Sequence, residues 1–182
     1  MTSTNRGRPV IVGVLGLADG SGVVRLQERL AAPIDEVWSA ITGPTRLASW
    51  HALVEGDLRL GGEFRIFVEA DDWEGIGRVM ACEPPSRLSV TSRESEESWR
   101  RGSGAPPFDE AIEVLLEPDD DGTAITVEVS GLPLEPLAAY GAGWQIHLEN
   151  LADHLAGRPR QDSEARWEAL VPAYEAQAAA LR

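Results

Sequence analysis

The order in which the apolar periodicity changes along this chain constrains its fold more than any other feature of the sequence. A short alternating segment at 23–30 precedes two short helical patterns, and alternation then returns over 56–130 except at 94–110. From Leu137 to Ala156 the apolar spacing becomes helical. Alternation of period two is typical of half-buried antiparallel strands, and spacings of three and four residues are typical of an amphipathic helix. The chain therefore predicts an α+β fold in which a long antiparallel meander meets one long helix.

Local signals mark the two short helices. Pro33 stands where the first helix begins, and Asp35 follows in the first turn, where a negative charge is favoured. Gly43-Pro44 ends this helix, which leaves room for one further turn at Thr45 to Ser49. The sequence thus predicts two short helices between the first core strand and the meander.

Two segments lie outside this core pattern. Residues 94–110 are charged, contain glycine and proline and show no periodicity, which predicts a mobile loop. After residue 160 a last amphipathic helix is expected, which Pro172 should kink, and its apolar face consists of Trp167, Leu170, Val171, Tyr174 and Leu181. This face is expected to dock on its own domain and to cover Ile146, with the part after Pro172 contributing to a homodimer.

Length and composition bound the domain organisation. At 182 residues the chain has room for about one domain. We expect a flexible N-terminus at 1–9, one domain at 10–157 and a helical extension at 158–182. No apolar run approaches the roughly 20 residues that span a bilayer.

Charge and cysteine content narrow the partners. Sixteen basic residues, all arginine, face thirty acidic ones, giving a net charge of −14. Such a charge repels phosphate backbones and anionic lipids, so neither nucleic acid nor a membrane is an expected partner. Because Cys82 is the single cysteine, no internal disulfide can form, and a cytoplasmic location is expected.

Motifs for catalysis and metal binding are missing from the sequence. No Gly-x-Ser-x-Gly motif is present, and Cys82 has no histidine at a predictable distance. His147 and His154 are two helical turns apart, about 10 Å, and His51 is remote in sequence from both. We therefore expect no catalytic residue, no metal and no cofactor.

Six tryptophans in such a chain are a large aromatic content. Core packing explains Trp38 most simply, whereas Trp50, Trp73 and Trp144 are candidates to line a cavity, together with His51 and His147. Two charges, Glu28 and Arg78, fall on otherwise apolar strand faces. Each lies either at the edge of the sheet, where strand ends often break the alternation, or in a buried position, where the charge must be paired or must meet a ligand. The candidate ligand contacts are Trp38, Trp50, His51, Trp73, Arg78, Trp144, His147 and Leu148.

The chain resembles a known family, the START-like (SRPBCC) superfamily, in its branch named for the activator of the heat-shock-protein-90 ATPase. The resemblance covers about residues 10–175. It rests on the order and spacing of several short stretches: Leu30 to Pro33, Val37-Trp38, Ala40 to Thr42, Leu47 to Trp50, Leu58 to Gly62, Glu83 to Leu88, Gly122-Thr123, and Gly143-Trp144 with Leu148, Leu151 and Leu155.

The resemblance implies a helix-grip fold, in which a curved antiparallel sheet wraps a long helix and encloses an apolar cavity. Small bacterial members of the branch share no catalytic motif. The first hypothesis is therefore a binding protein for a small hydrophobic ligand. The second is an enzyme like the polyketide cyclases and aromatases of this fold, with His147 beside Arg78 or Glu28 as the working group. The third is a chaperone-linked interaction module.

Overall fold

The computed structural model describes residues 10–68, 73–102 and 107–181. The expected flexible segment 1–9 lies outside them. The elements, in chain order, are β1 (Gly13–Ala18), β2 (Ser21–Leu30), α1 (Ile34–Thr42), α2 (Pro44–Trp50), β3 (Leu53–Gly56), β4 (Glu63–Val68), β5 (Trp73–Glu83), β6 (Arg87–Glu94), α3 (Glu96–Gly102), β7 (Asp109–Asp119), β8 (Gly122–Leu132), α4 (Leu137–Leu155) and α5 (Ser163–Ala180).

The strands of the described residues form one sheet of eight, in the order β1-β2-β8-β7-β6-β5-β4-β3. Each neighbouring pair is antiparallel, and the register shifts once in β2 and once in β5, as at β-bulges. Bulges bend a strand and increase its twist. With α4 lying on the inner face of this sheet, the predicted helix-grip arrangement is confirmed.

The two short helices close one side of the inner face. Pro33 caps α1, and Gly43 both ends α1 and begins α2, with Pro44 at the first helical position. The Trp50 indole nitrogen donates a hydrogen bond of 3.0 Å to the carbonyl oxygen of Ala40. This bond ties the end of α2 to α1 and fixes the position of the next residue, His51.

The last helix, α5, docks on its own domain. Its N-terminus is capped by the Asp162 carboxylate, which accepts hydrogen bonds from two backbone N–H groups. Leu170 and Tyr174 are fully buried, and Ile146 on α4 is buried as well. The part after Pro172, which the sequence assigned to a dimer contact, supplies Tyr174 to this intramolecular interface.

The prediction of a mobile loop at 94–110 is wrong for much of this segment. Strand β6 continues to Glu94, and helix α3 follows at once. The backbone N–H of Ser98 donates to the Ser95 hydroxyl at 3.1 Å, which is an N-terminal cap of the helix. The Ser98 hydroxyl donates in turn to the Glu94 carboxylate at 3.0 Å. Short serine caps of this kind leave no periodic apolar signal in the sequence.

Candidate functional site: a cavity between the sheet and helix α4

A cavity of about 830 Å³ lies between the inner face of the sheet and α4. Ligand sites in proteins commonly enclose roughly 300 to 1,000 Å³. Aliphatic side chains of β5 to β8 form its floor, and its aromatic wall consists of Trp50, Phe64, Trp73, Phe108, Tyr140, Trp144 and Trp167. The space is therefore large enough for a small organic molecule and is mostly apolar.

Glycines on the inner face of β5 make room for part of this aromatic wall. A methyl group at Gly75 would overlap the Trp73 ring, and one at Gly77 would overlap the Phe64 ring. Glycine is the residue that allows this close approach between backbone and ring. The two aromatic rings can thus lie flat across the strand and border the cavity.

Two histidines meet at the cavity wall. His51 follows α2, His147 lies on α4, and their Nδ1 atoms are 3.2 Å apart. The two rings make an edge-to-face contact with centroids 4.4 Å apart, and the Trp144 ring lies 5.6 Å from that of His147. Trp50 stacks on His51 from the other side at 5.2 Å. The pair is therefore held in position by aromatic rings.

A hydrogen bond between two Nδ1 atoms fixes the protonation of both rings. One ring must carry its proton on Nδ1 and donate it, and the other must accept on Nδ1 and carry its proton on Nε2. Burial, together with a smaller contribution from the positive charge of Arg160, lowers the pKa of His147 to about 4. Burial also lowers the pKa of His51 well below its usual value, with His147 and Arg160 adding to the effect. Both rings are neutral at pH 7.

A second polar group borders the same cavity near the start of α4. The Ser92 hydroxyl donates a hydrogen bond of 2.6 Å to the Glu110 carboxylate. Burial raises the pKa of Glu110, and the bond from Ser92 opposes that rise in part. Burial also raises the pKa of Tyr140 to about 12, with the charges of Glu110 and Glu94 adding to it. This end of the cavity thus favours neutral, hydrogen-bonding forms of its side chains.

The cavity has two polar ends separated by apolar walls. Tyr140 and His147 are seven residues apart on α4, about 10 Å along the helix axis at 1.5 Å per residue. Between them the floor is formed by aliphatic residues such as Val90 and Ile112. A molecule with polar groups about 10 Å apart would match this spacing.

The structure brings most of the predicted site residues together. Trp50, His51, Trp73, Trp144, His147 and Leu148 all line the cavity. It does not bring Trp38 or Arg78 there. Trp38 lies on α1, partly buried against the core. Arg78 lies on the outer face of the sheet, where its guanidinium pairs with the Glu63 carboxylate at 2.7 Å.

Arg78 does not contact the cavity, contrary to its prediction as a candidate ligand contact, whereas Glu28 lies at an exposed position, in agreement with the alternative placement at the edge of the sheet. On β5 the inner positions are partly glycine, so the apolar residues flanking Arg78 in the alternation, Ile76 and Met80, belong to the exposed outer face. Glu28 is exposed beyond the last residue of β2 that pairs with β1. Neither charge can assist His147, so that part of the enzyme hypothesis fails. The partner of His147 is His51.

Several polar residues that line the cavity were not predicted as site residues, among them Ser92, Glu110 and Tyr140. Glu110 was placed in the supposed loop, although it stands two residues before Ile112 and therefore shares its strand face. Counting the alternation back from Ile112 and Val114 would have found it. Among the described residues, no cluster of three or more potential metal ligands occurs.

The fold and its enclosed cavity define a helix-grip protein. Residues 31–156 match the family described as Activator of Hsp90 ATPase homolog 1-like protein. The chain therefore belongs to this family, and the predicted resemblance is confirmed. A comparison with curated proteins gives no match. In the described part of the chain, no helix is long and apolar enough to cross a membrane.

Several solved structures are similar. CalU16 from Micromonospora echinospora is 26% identical with a TM-score of 0.71, over 92% of this chain and 96% of CalU16. DynU16, from the dynemicin biosynthetic locus, is 28% identical with a TM-score of 0.64, over 78% of this chain and 50% of DynU16. EF2215 from Enterococcus faecalis, of unknown function, is 18% identical, covers 93% of this chain and 92% of EF2215, and shares the fold with a TM-score of 0.67.

Proposed function

We propose that this protein binds a small, mostly apolar aromatic molecule in the cavity between the sheet and α4. The observation that carries the proposal is the cavity itself, about 830 Å³ with four tryptophan rings, those of residues 50, 73, 144 and 167, on its wall. An interior without an occupant normally closes to crystal-like density, because each empty volume forfeits dispersion contacts. A cavity of this size therefore supports a role in ligand binding.

The polar groups of the cavity give the ligand an orientation. The neutral histidine pair offers one donor and one acceptor at one end, and Glu110 with Tyr140 offers hydrogen bonds at the other. Few polar groups in an apolar pocket are typical of sites that select one molecule by the position of its polar atoms. The ligand thus has an aromatic body and a hydroxyl or carbonyl group at each end.

We propose that this ligand is a biosynthetic intermediate or product. DynU16, which is 28% identical, belongs to the dynemicin biosynthetic locus. The histidine pair also favours a second candidate function, in which the same cavity catalyses proton transfer in the manner of the cyclases and aromatases of this fold.

Native mass spectrometry of the full chain as purified, under gentle ionisation, tests the binding proposal. We expect a population heavier than 19.7 kDa by the mass of one small molecule, which organic extraction releases. A Val90→Phe variant, whose ring would occupy the cavity floor, should carry no such mass. The proposal fails if only the bare chain is found and a panel of bicyclic aromatic probes also leaves no adduct.

A further inference from the structure

The histidine pair has the connections of a proton relay. Within the described residues only the Nδ1 atom of each ring is engaged in a hydrogen bond, and both side chains line the cavity. The pair therefore offers a ligand one Nε2 lone pair, on the ring that donates, and one Nε2–H group, on the ring that accepts. An acceptor and a donor joined by one internal hydrogen bond form a continuous path for a proton.

We propose that His51 and His147 act together as a proton relay that interconverts the keto and enol forms of an aryl ketone held in the cavity. This inference rests on the proposed binding function and names its substrate class. The aromatic part of the ketone would lie against Trp50 and Trp144, whose rings flank the two histidines. The carbon next to the carbonyl and the carbonyl oxygen would face the pair.

The proton movements balance without a net charge on the protein. The free Nε2 of the donating ring takes a proton from the carbon beside the carbonyl. That ring passes its Nδ1 proton to Nδ1 of the second ring, and the second ring gives its Nε2 proton to the carbonyl oxygen. The C–H bond breaks, an O–H bond forms, and the electron pair of the C–H bond becomes part of the enol double bond. Both rings end neutral, with their tautomers exchanged.

The surroundings of the pair suit a neutral relay better than a single base. Burial opposes an imidazolium on either ring, and the positive charge of Arg160 opposes it too. A relay never forms the isolated cation that these surroundings disfavour. The same positive charge favours negative charge on the carbonyl oxygen while the C–H bond breaks.

The aryl ketone 1-tetralone provides a direct test with the full chain. Its hydrogens next to the carbonyl exchange with deuterium oxide through the enol, and mass spectrometry follows the exchange. Binding is measured separately by quenching of the intrinsic tryptophan fluorescence, to which Trp50 and Trp144 beside the pair contribute. Thermal unfolding of each variant checks that it folds.

The variants are His51→Gln and His147→Gln, which keep a hydrogen-bonding side chain but cannot pass a proton through a ring. His154→Gln is the matched control, because it lies seven residues after His147 on the same helix. Its imidazole meets the Arg46 guanidinium at 3.3 Å and does not line the cavity. We expect each cavity variant to slow exchange by at least about tenfold, the double variant to be no slower, and the control to match wild type.

The pH profile separates the relay from a lone histidine. Exchange by the relay should stay constant from pH 8 to about 5 and fall near pH 4, following the pKa of about 4 for His147. A rate that falls through the usual histidine value of 6.5 would contradict the relay. So would ¹⁵N spectra in which both rings carry the same tautomer, a readout that needs no variant.

The remaining outcomes distinguish the proposed relay from the proposed ligand binding. If 1-tetralone quenches the tryptophans but the exchange rate stays at the buffer level, the relay is overturned and ligand binding stands. If only one of the two histidine variants loses activity, a single base replaces the relay. If the ketone does not bind at millimolar concentration, the relay is overturned together with the proposed binding of aromatic molecules.

Discussion

The two sides of helix α4 are built in opposite ways. Toward α5 the contact is solid: Gln145 and Tyr174 are fully buried, and the Tyr174 hydroxyl donates to the Gln145 side-chain oxygen at 2.6 Å. Toward the sheet the helix borders a hollow of about 830 Å³, into which Trp144 and His147 project. One helix therefore holds the fold together on one side and leaves space on the other.

This difference predicts where stability and binding reside. Close packing supplies dispersion contacts and burial, so the α5 side should dominate the free energy of unfolding. The side that borders the cavity makes fewer such contacts. Its residues can therefore be selected for ligand binding rather than for packing. Substitutions on the two sides should therefore separate the two properties.

The largest effect is expected at Tyr174 on the packed side. Tyr174→Ala removes a fully buried ring and its hydrogen bond, and we expect the free energy of unfolding in urea to fall by about 3 to 5 kcal/mol. Tyr174→Phe, which removes only the hydroxyl, should cost about 1 kcal/mol. Equal losses in the two variants would show that the ring is not packed as described.

The histidine pair makes stability on the hollow side depend on pH. The pKa of His147 is about 4 in the fold and 6.5 when exposed, so between these values the unfolded chain binds more protons. Stability from this group is complete above pH 6.5 and declines as the pH falls to about 4, by up to about 3 kcal/mol. Urea unfolding from pH 8 to 4 measures the loss. His147→Phe should remove the share of the decline that comes from His147 and leave the share of the buried His51, and an unchanged profile would contradict the assignment.

Substitutions at two glycines of α4 allow the two sides of this helix to be compared. A methyl group at Gly141 would lie 2.5 Å from Tyr174 Cδ1 and 2.9 Å from Leu15 Cδ2, whereas one at Gly143 meets only Trp167, at 3.7 Å. Gly141→Ala should therefore destabilise the protein by about 1 to 3 kcal/mol through overpacking. Gly143→Ala should stabilise it by roughly 0.5 to 1 kcal/mol, the usual gain in a helix. Thermal melts that give the two variants the same sign would remove the contrast between the sides.

A smaller change in stability than at Tyr174 or His147 is expected at the acidic end of the cavity. Glu110→Gln replaces a carboxyl whose pKa is raised by burial with a side chain that carries no charge at any pH. Because the charged form is the disfavoured one, the wild type loses stability as the pH rises through the range where Glu110 ionises, and the variant should not. We expect a gain of roughly 1 kcal/mol at pH 8 in urea unfolding and none at pH 4. A loss at pH 8 would show that the charged form is stabilised.

Most of the fold could be predicted from the sequence, because most elements carry a local signal of their own. The alternation of β6 to β8, the glycine and proline at 43–44 and the long stripe of α4 each have their own period or boundary signal. The order of these signals, rather than any one of them, predicted the helix-grip arrangement. The short helix α3 carries only a serine cap and was missed.

Only part of the site could be predicted from the sequence, because its main feature, the contact between the two histidines, joins segments that are distant in the sequence. His51 and His147 are 96 residues apart, and no pattern near either one indicates the contact between them. The face of Arg78 was misassigned because the glycines opposite it hide which side of β5 is inner. Positions on helices and regular strands can be counted, but contacts across a cavity depend on the curvature of the sheet.

A binding titration tests most directly the claim that the cavity is a ligand site. The probe is 2-naphthol, measured by calorimetry against wild type, Val90→Phe and Thr91→Phe. Val90 lines the cavity, and Thr91, the next residue on β6, opposes Arg78 on the outer face. Binding of one probe per chain by wild type and Thr91→Phe, with none by Val90→Phe, is the predicted result. Equal binding by all three proteins, or binding by none, would contradict it.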